Sequence, residues 1–131
     1  MNQLLVEMDG FDENERIVVI AATNREKFLD FALVRSGRFD LKIAVQLPTK
    51  NERTGILLLK LSKTQHTVSE SEATEFGETS EGMSGADIDA IVNEAIYLAK
   101  GIGETELTYE HVQTAQRKIH QNLIKVMNDV N

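Results

Sequence analysis

Six consecutive apolar residues, Ile17 to Ala22 (IVVIAA), constrain this chain more than any other stretch of it. A β-branched run closed by small alanines is the pattern of a strand buried on both faces of a largely parallel sheet. In open α/β sheets ligands bind outside the carboxyl ends of the strands, and Thr23 and Asn24 stand at that end. Asn24 is therefore placed to touch a ligand or an attacking water, although Thr23 and Asn24 taken alone read more readily as a simple turn.

A short link leads to LVRSGRFD, where Arg35 and Arg38 flank Ser36-Gly37. Glycine lets the backbone bend sharply, and each guanidinium offers a planar fork of donors suited to phosphate oxygens. Asp30 and Asp40 are near enough in sequence to pair with the same two arginines, so spacing alone leaves both readings open.

Around this stretch the pattern is regular. Leu4, Leu5 and Met8 keep helical spacing, with Gly10 as a stop. Asp9, Asp12, Glu13 and Glu15 lack the spacing of a calcium loop and read as a solvated turn. Leu41 to Leu47 alternates like a strand with one wetter side and is closed by Pro48, the only proline. Beyond Pro48 everything reads as helix. A helix over Asn51–Lys63 holds Ile56, Leu57, Leu58, Leu59 and Leu61, enough apolar residues for burial on several sides. A short helix is expected around Glu72–Glu78. Ser84 and Asp87 form a capping box that opens a helix with the stripe Ile88, Ile91, Val92, Ala95 and Ala99, ended by Gly101. Thr108 caps the last helix, which carries Val112, Ala115 and Ile119. Leu123, Ile124, Met127 and Val130 extend that stripe, expected to pack on its own domain in preference to a partner.

Composition removes several classes of function. A formal net charge of −7 argues against nonspecific binding to nucleic acid or to anionic membrane as the main role. With no cysteine there is no disulfide framework or thiolate metal site. His66, His111 and His120 make no metal-ligand spacing, and HExxH is absent. No apolar run approaches ~20 residues, the length that spans a bilayer, and no secretory signal pattern opens the chain.

Three separated stretches in order, MNQLLVEMDGF, the strand-to-arginine segment and GMSGADIDAIVNEA, resemble the second half of an AAA+ ATPase module. The likeness runs from Met1 to about Ile119 and is nearest to FtsH-type membrane-anchored ATP-dependent metalloproteases, with the proteasomal-type AAA ATPases next. It implies an α/β fold: the C-terminal part of a parallel-sheet large subdomain (1–47), an all-α helical lid (48–122) and a C-terminal tail (123–131). It also implies roles. Asn24 matches sensor 1, which positions water against the γ-phosphate. Arg35 and Arg38 match arginine fingers that reach a neighbouring subunit's nucleotide, Gly85 and Ala86 the backbone that meets adenine and ribose, and Lys60 a position often held by a nucleotide-contacting histidine. Where the family usually has proline, this chain has Glu26, Phe31 and Ser36, which relaxes φ along the link to the fingers.

GxxxxGK[ST] and the paired acids that hold metal and activate water are not in the sequence. The resemblance therefore implies ATP as cofactor, with Mg²⁺ held by residues outside this chain. The partners it implies are other AAA+ subunits, in a homo-hexamer, and protein substrates, with no nucleic acid and no direct membrane contact. The expected segment is soluble, within a complete protein anchored at a membrane and facing cytoplasm or organelle matrix, or otherwise cytoplasmic. Its expected function is to complete ATP sites in a ring that couples hydrolysis to protein unfolding or proteolysis. The alternative is a noncatalytic module that docks on full-length subunits, and a decayed remnant ranks last.

Overall fold

The computed structural model describes residues 16–23 and 41–130. The chain divides into two units, Met1–Val45 and Gln46–Asn131. In the first, none of the described residues forms a strand, against the sequence expectation for Ile17–Ala22 and for Leu41–Leu47. Val18 and Ile20 are 83% and 86% exposed. A two-faced strand takes its hydrogen bonds and its burial from neighbours on either side, and most of the rest of this unit lies outside the described residues. The Met1–Met8 helix and the acidic turn after it lie outside the described residues.

The second unit contains four helices among its described residues: α1 (Lys50–Leu61), α2 (Glu70–Thr79), α3 (Gly85–Gly101) and α4 (Tyr109–Val130). Each start is fixed by a short polar pair that satisfies otherwise orphaned backbone N–H groups. Thr49 and Glu52 form a reciprocal box at α1. Ser69 and Glu72 do so at α2, and Ser84 and Asp87 at α3. Capping by Thr49 places the start of α1 directly after Pro48, and the box at Ser69 starts α2 two residues before the helix read from sequence.

The core is built from one face of each helix. Leu57 and Leu61 of α1, Ala73 and Phe76 of α2, Ile88, Ile91, Val92 and Ala95 of α3, and Val112 and Ala115 of α4 are buried together. The α3 stripe is the one its spacing gives. This helix packs on both α1 and α4, while α1 also packs on α2. Leu59 is exposed, so α1 is covered on fewer sides than its leucines suggest. The loops join as well: the Leu107 carbonyl accepts from Thr67 N–H, and Leu107 N–H donates to the Gln65 carbonyl, both at 3.0 Å.

Geometry requires glycine at Gly103 and at Gly77, for different reasons. Gly103 sits at φ +78°, Glu104 N–H reaches the Ala99 carbonyl at 2.9 Å, and Gly103 N–H reaches that of Lys100 at 3.1 Å. This 6→1, 5→2 pair is a Schellman motif, so the left-handed stop of α3 is Gly103, two residues past Gly101. Gly77 brings the α2 backbone against α1. A Cβ there would overlap Thr54 Oγ1 and come within 2.8 Å of the Lys50 carbonyl. Gly77→Ala is expected to cost about 1–3 kcal/mol, read as a lower urea midpoint at unchanged m-value.

The tail of α4 corrects another expectation. Tyr109, Val112 and Ala115 are buried and Ile119 packs against the core, but residues 121–130 are all exposed. Met127 and Val130 are 67% and 81% exposed. The stripe continues in sequence after the described elements that would cover it have ended.

Candidate functional site

At the start of α3 the sequence supplies both a cap and an open backbone. Ser84 Oγ accepts from Asp87 N–H at 3.2 Å, and Asp87 Oδ2 accepts from Ser84 N–H at 2.8 Å and from the Ser84 hydroxyl at 2.9 Å. These bonds leave the N–H groups of Gly85 and Ala86 without a partner among the described residues. A Cβ built on Gly85 would meet nothing within 4 Å, and Ala86 is exposed. Two outward donors at the positive end of a helix, free of bulky side chains, can receive a flat polar group or sugar hydroxyls. The Asp87 carboxylate makes the same spot a poor seat for a phosphate.

Lys60 comes to this flank. Its Nζ lies 2.9 Å from Asp89 Oδ1, and Asp89 is four residues after Gly85, hence on the same side of α3. The hydrogen bond and charge of Lys60 hold the Asp89 carboxyl below its usual range, helped by Lys63. Lys60 is thus committed to an ion pair that ties α1 to α3, and any ligand contact must share it. The structure therefore brings Gly85, Ala86 and Lys60 to neighbouring positions, while Asn24, Arg35 and Arg38 lie outside the described residues.

Sequence reading missed Arg53. It is 6% exposed and donates three bonds: Nε to Ser80 Oγ at 3.0 Å, Nη1 to the Pro48 carbonyl at 2.8 Å and Nη2 to the Gly77 carbonyl at 2.8 Å. The guanidinium ties the entry of α1 to the last turn of α2, where a helix end is partly negative. A signal was present, because Arg53 falls on the same i, i+4, i+8 line as the buried Leu57 and Leu61. It borders an open polar depression of about 480 Å³ with Thr49, Lys50, Glu78 and Glu81, which the Lys50–Glu78 pair spans at 2.7 Å. Among the described residues no cluster of His, Asp or Glu is arranged to hold a metal ion, and no helix is long and apolar enough to cross a membrane.

Burial, and then the nearby Glu75 carboxylate, push the Tyr109 phenol up to about 12 from 10.0. The folded state keeps this proton where the unfolded chain has lost it. Its contribution is therefore whole below pH 10 and disappears as the pH rises toward 12. Denaturant melts at pH 8 and pH 11 should show the wild type losing on the order of 1 kcal/mol more than Tyr109→Phe, a figure already reduced for solvent screening.

Residues 1–47 match the family described as ATPase family associated with various cellular activities (AAA). The ATP-dependent zinc metalloprotease FtsH 2 of Salinibacter ruber is 43% identical over 124 residues, which is 94% of this chain and 18% of that protein. The ATP-dependent zinc metalloprotease FtsH of Rickettsia typhi is 42% identical over 125 residues, 95% of this chain and 20% of the relative. That of Rickettsia felis is 44% identical over 119 residues, 91% and 19% respectively. The chain spans about a fifth of the length of these relatives. The similarity continues from the matched residues 1–47 through the four helices and identifies the chain as an AAA+ ATPase module segment, similar to that of the FtsH zinc metalloproteases.

Proposed function

We propose that this chain supplies the sensor, arginine fingers and helical lid of an ATP-hydrolysing module that acts with copies of itself, in a homo-hexameric ring, on protein substrates destined for unfolding or proteolysis. The observation that carries this reading is identity above 40% to FtsH over nine-tenths of the chain. Asn24 orients the attacking water, and Arg35 and Arg38 meet the charge that develops on phosphate in the adjoining subunit. Gly85 and Ala86 bind base and sugar through backbone N–H groups, with Lys60 at the rim. ATP supplies the phosphoryl group, and the accompanying Mg²⁺ would be held by residues of the module outside this chain. The piece itself carries no membrane contact in this reading, and any anchor belongs to the complete protein.

The test is a chimera in which this sequence replaces the matching segment of full-length FtsH, assayed for ATP turnover and ATP-dependent proteolysis. Retention of both supports the proposal. A folded, assembled chimera without turnover rejects it and leaves a docking module as the better reading. Gly85→Ala separates binding from folding. Because the added Cβ meets nothing in the fold, lid stability should hold or rise by up to about 1 kcal/mol. Nucleotide affinity of the chimera should fall about tenfold, since a methyl now stands where base or sugar must approach; unchanged affinity removes Gly85 from the site.

A further inference from the structure

The fourth helix is capped differently from the other three. Thr108 Oγ1 accepts from His111 N–H at 3.4 Å, and the reciprocal bond runs from Thr108 N–H to His111 Nδ1 at 3.0 Å. The position that holds a carboxylate at α1, α2 and α3 is here an imidazole. A backbone N–H can only donate, so Nδ1 must be the bare nitrogen and the ring proton must sit on Nε2. On that side Nε2 lies 3.0 Å from Glu104 Oε2, in the loop that follows α3. Both nitrogens are thus used, one as acceptor and one as donor, and only the neutral ring can fill both parts.

We propose that the Thr108–His111–Glu104 cluster is an acid-responsive latch between the α3–α4 loop and the first turn of α4, closed when His111 is neutral and opened at the cap when it takes a proton. The added proton goes to Nδ1, where the Thr108 hydroxyl oxygen 3.1 Å away can turn to accept it, but the acceptor that faced the fixed N–H of Thr108 is lost. The bond to Glu104 gains charge in the same step. That carboxylate is half exposed, so the gain is screened and does nothing to restore an acceptor for Thr108. The other charged groups around it are Glu110, next to His111 on α4, and Glu75 and Glu72 of α2, which act on Tyr109. Among the described residues no lysine or arginine pairs with Glu104 or competes for it. A carboxylate in the same position, as at the other three helices, would keep its acceptor throughout this range.

The test uses the whole 131-residue chain and nuclear magnetic resonance between about pH 8 and pH 5, the span in which imidazoles ordinarily charge. At the upper end the ring ¹⁵N shifts should show a bare Nδ1. On acidification Nδ1 gains its proton, and protection of the Thr108 amide, corrected for intrinsic exchange, falls about fivefold, the worth of one cap. His111→Gln keeps the carboxamide oxygen for Thr108 and the NH₂ for Glu104 but cannot titrate, and its Thr108 protection should be the same at both ends. A protonated Nδ1 at pH 8, or wild-type protection that does not change, overturns the proposal. Equal loss in His111→Gln overturns it too. The ring shifts and wild-type protection decide the matter without any variant.

Discussion

Replacing both Arg35 and Arg38 by alanine in the chimera with full-length FtsH is expected to lower ATP turnover by roughly 10³-fold, while nucleotide affinity and assembly change little. Trans-acting guanidiniums contribute about 10³ to 10⁵ in related phosphoryl transfer, because they act on charge that appears only in the transition state. A ground-state contact would show instead in KM. Mixing doubly substituted subunits with subunits disabled in their own phosphate loop gives the sharper measurement. If the fingers serve a neighbour, such mixed rings recover part of the lost turnover at the interfaces where a sound finger meets a sound pocket. Uniform inactivity of mixed rings that do assemble would mean that the two arginines serve their own subunit, or structure alone. The resemblance implies proline at the positions of Glu26, Phe31 and Ser36, and proline there would restrict φ freedom between Asn24 and Arg38. Restoring proline at 36 should raise turnover modestly if that freedom is a cost.

The second large effect falls on stability. Arg53→Ala should destabilise the helical unit by about 3–4 kcal/mol, since it removes three charge-assisted bonds and strands acceptors on Ser80 and Gly77 in the interior and on half-buried Pro48. Packing of its aliphatic stem is lost as well. Arg53→Lys should recover only a small part, because a single ammonium cannot span acceptors arranged for a planar fork. Urea denaturation followed by circular dichroism measures both variants. A loss under 1 kcal/mol for Arg53→Ala would mean that water replaces the guanidinium at little cost, and that the depression bordered by Lys50 and Glu78 extends further inward than its lining suggests.

What was legible in the sequence was local. Ser84 and Asp87 cap α3 within one turn, and Ile88, Ile91, Val92, Ala95 and Ala99 face the core because 3.6-residue spacing leaves them no other side. Gly85, Ala86 and Lys60 could be named from the sequence, but not the Asp89 pairing that brings Lys60 to the α3 flank, since it depends on where α1 crosses. Arg53 was missed for a related reason. Arginine on a helix ordinarily reads as solvent-facing, and its burial follows from Pro48, Gly77 and Ser80 converging from elsewhere in the chain. The same holds for Gly77, whose missing side chain matters only through Thr54 and the Lys50 carbonyl of α1. Expectations that relied on distant partners did worst. Ile17–Ala22 and Leu41–Leu47 have strand patterns but form no strand among the described residues, and the end of α4 has an apolar stripe with nothing described to cover it.

That uncovered end has a mechanical meaning. With 22 residues, α4 is about 33 Å long at 1.5 Å per residue, and it is gripped only along its first half. It is therefore a lever whose fulcrum lies near Ile119, the last residue packed on the core, and whose free arm ends at Val130. A tilt of about 10° at the fulcrum moves that tip by about 3 Å over an arm of about 16 Å. Small changes in how the first half is seated become displacements of about half a helical turn at the other end.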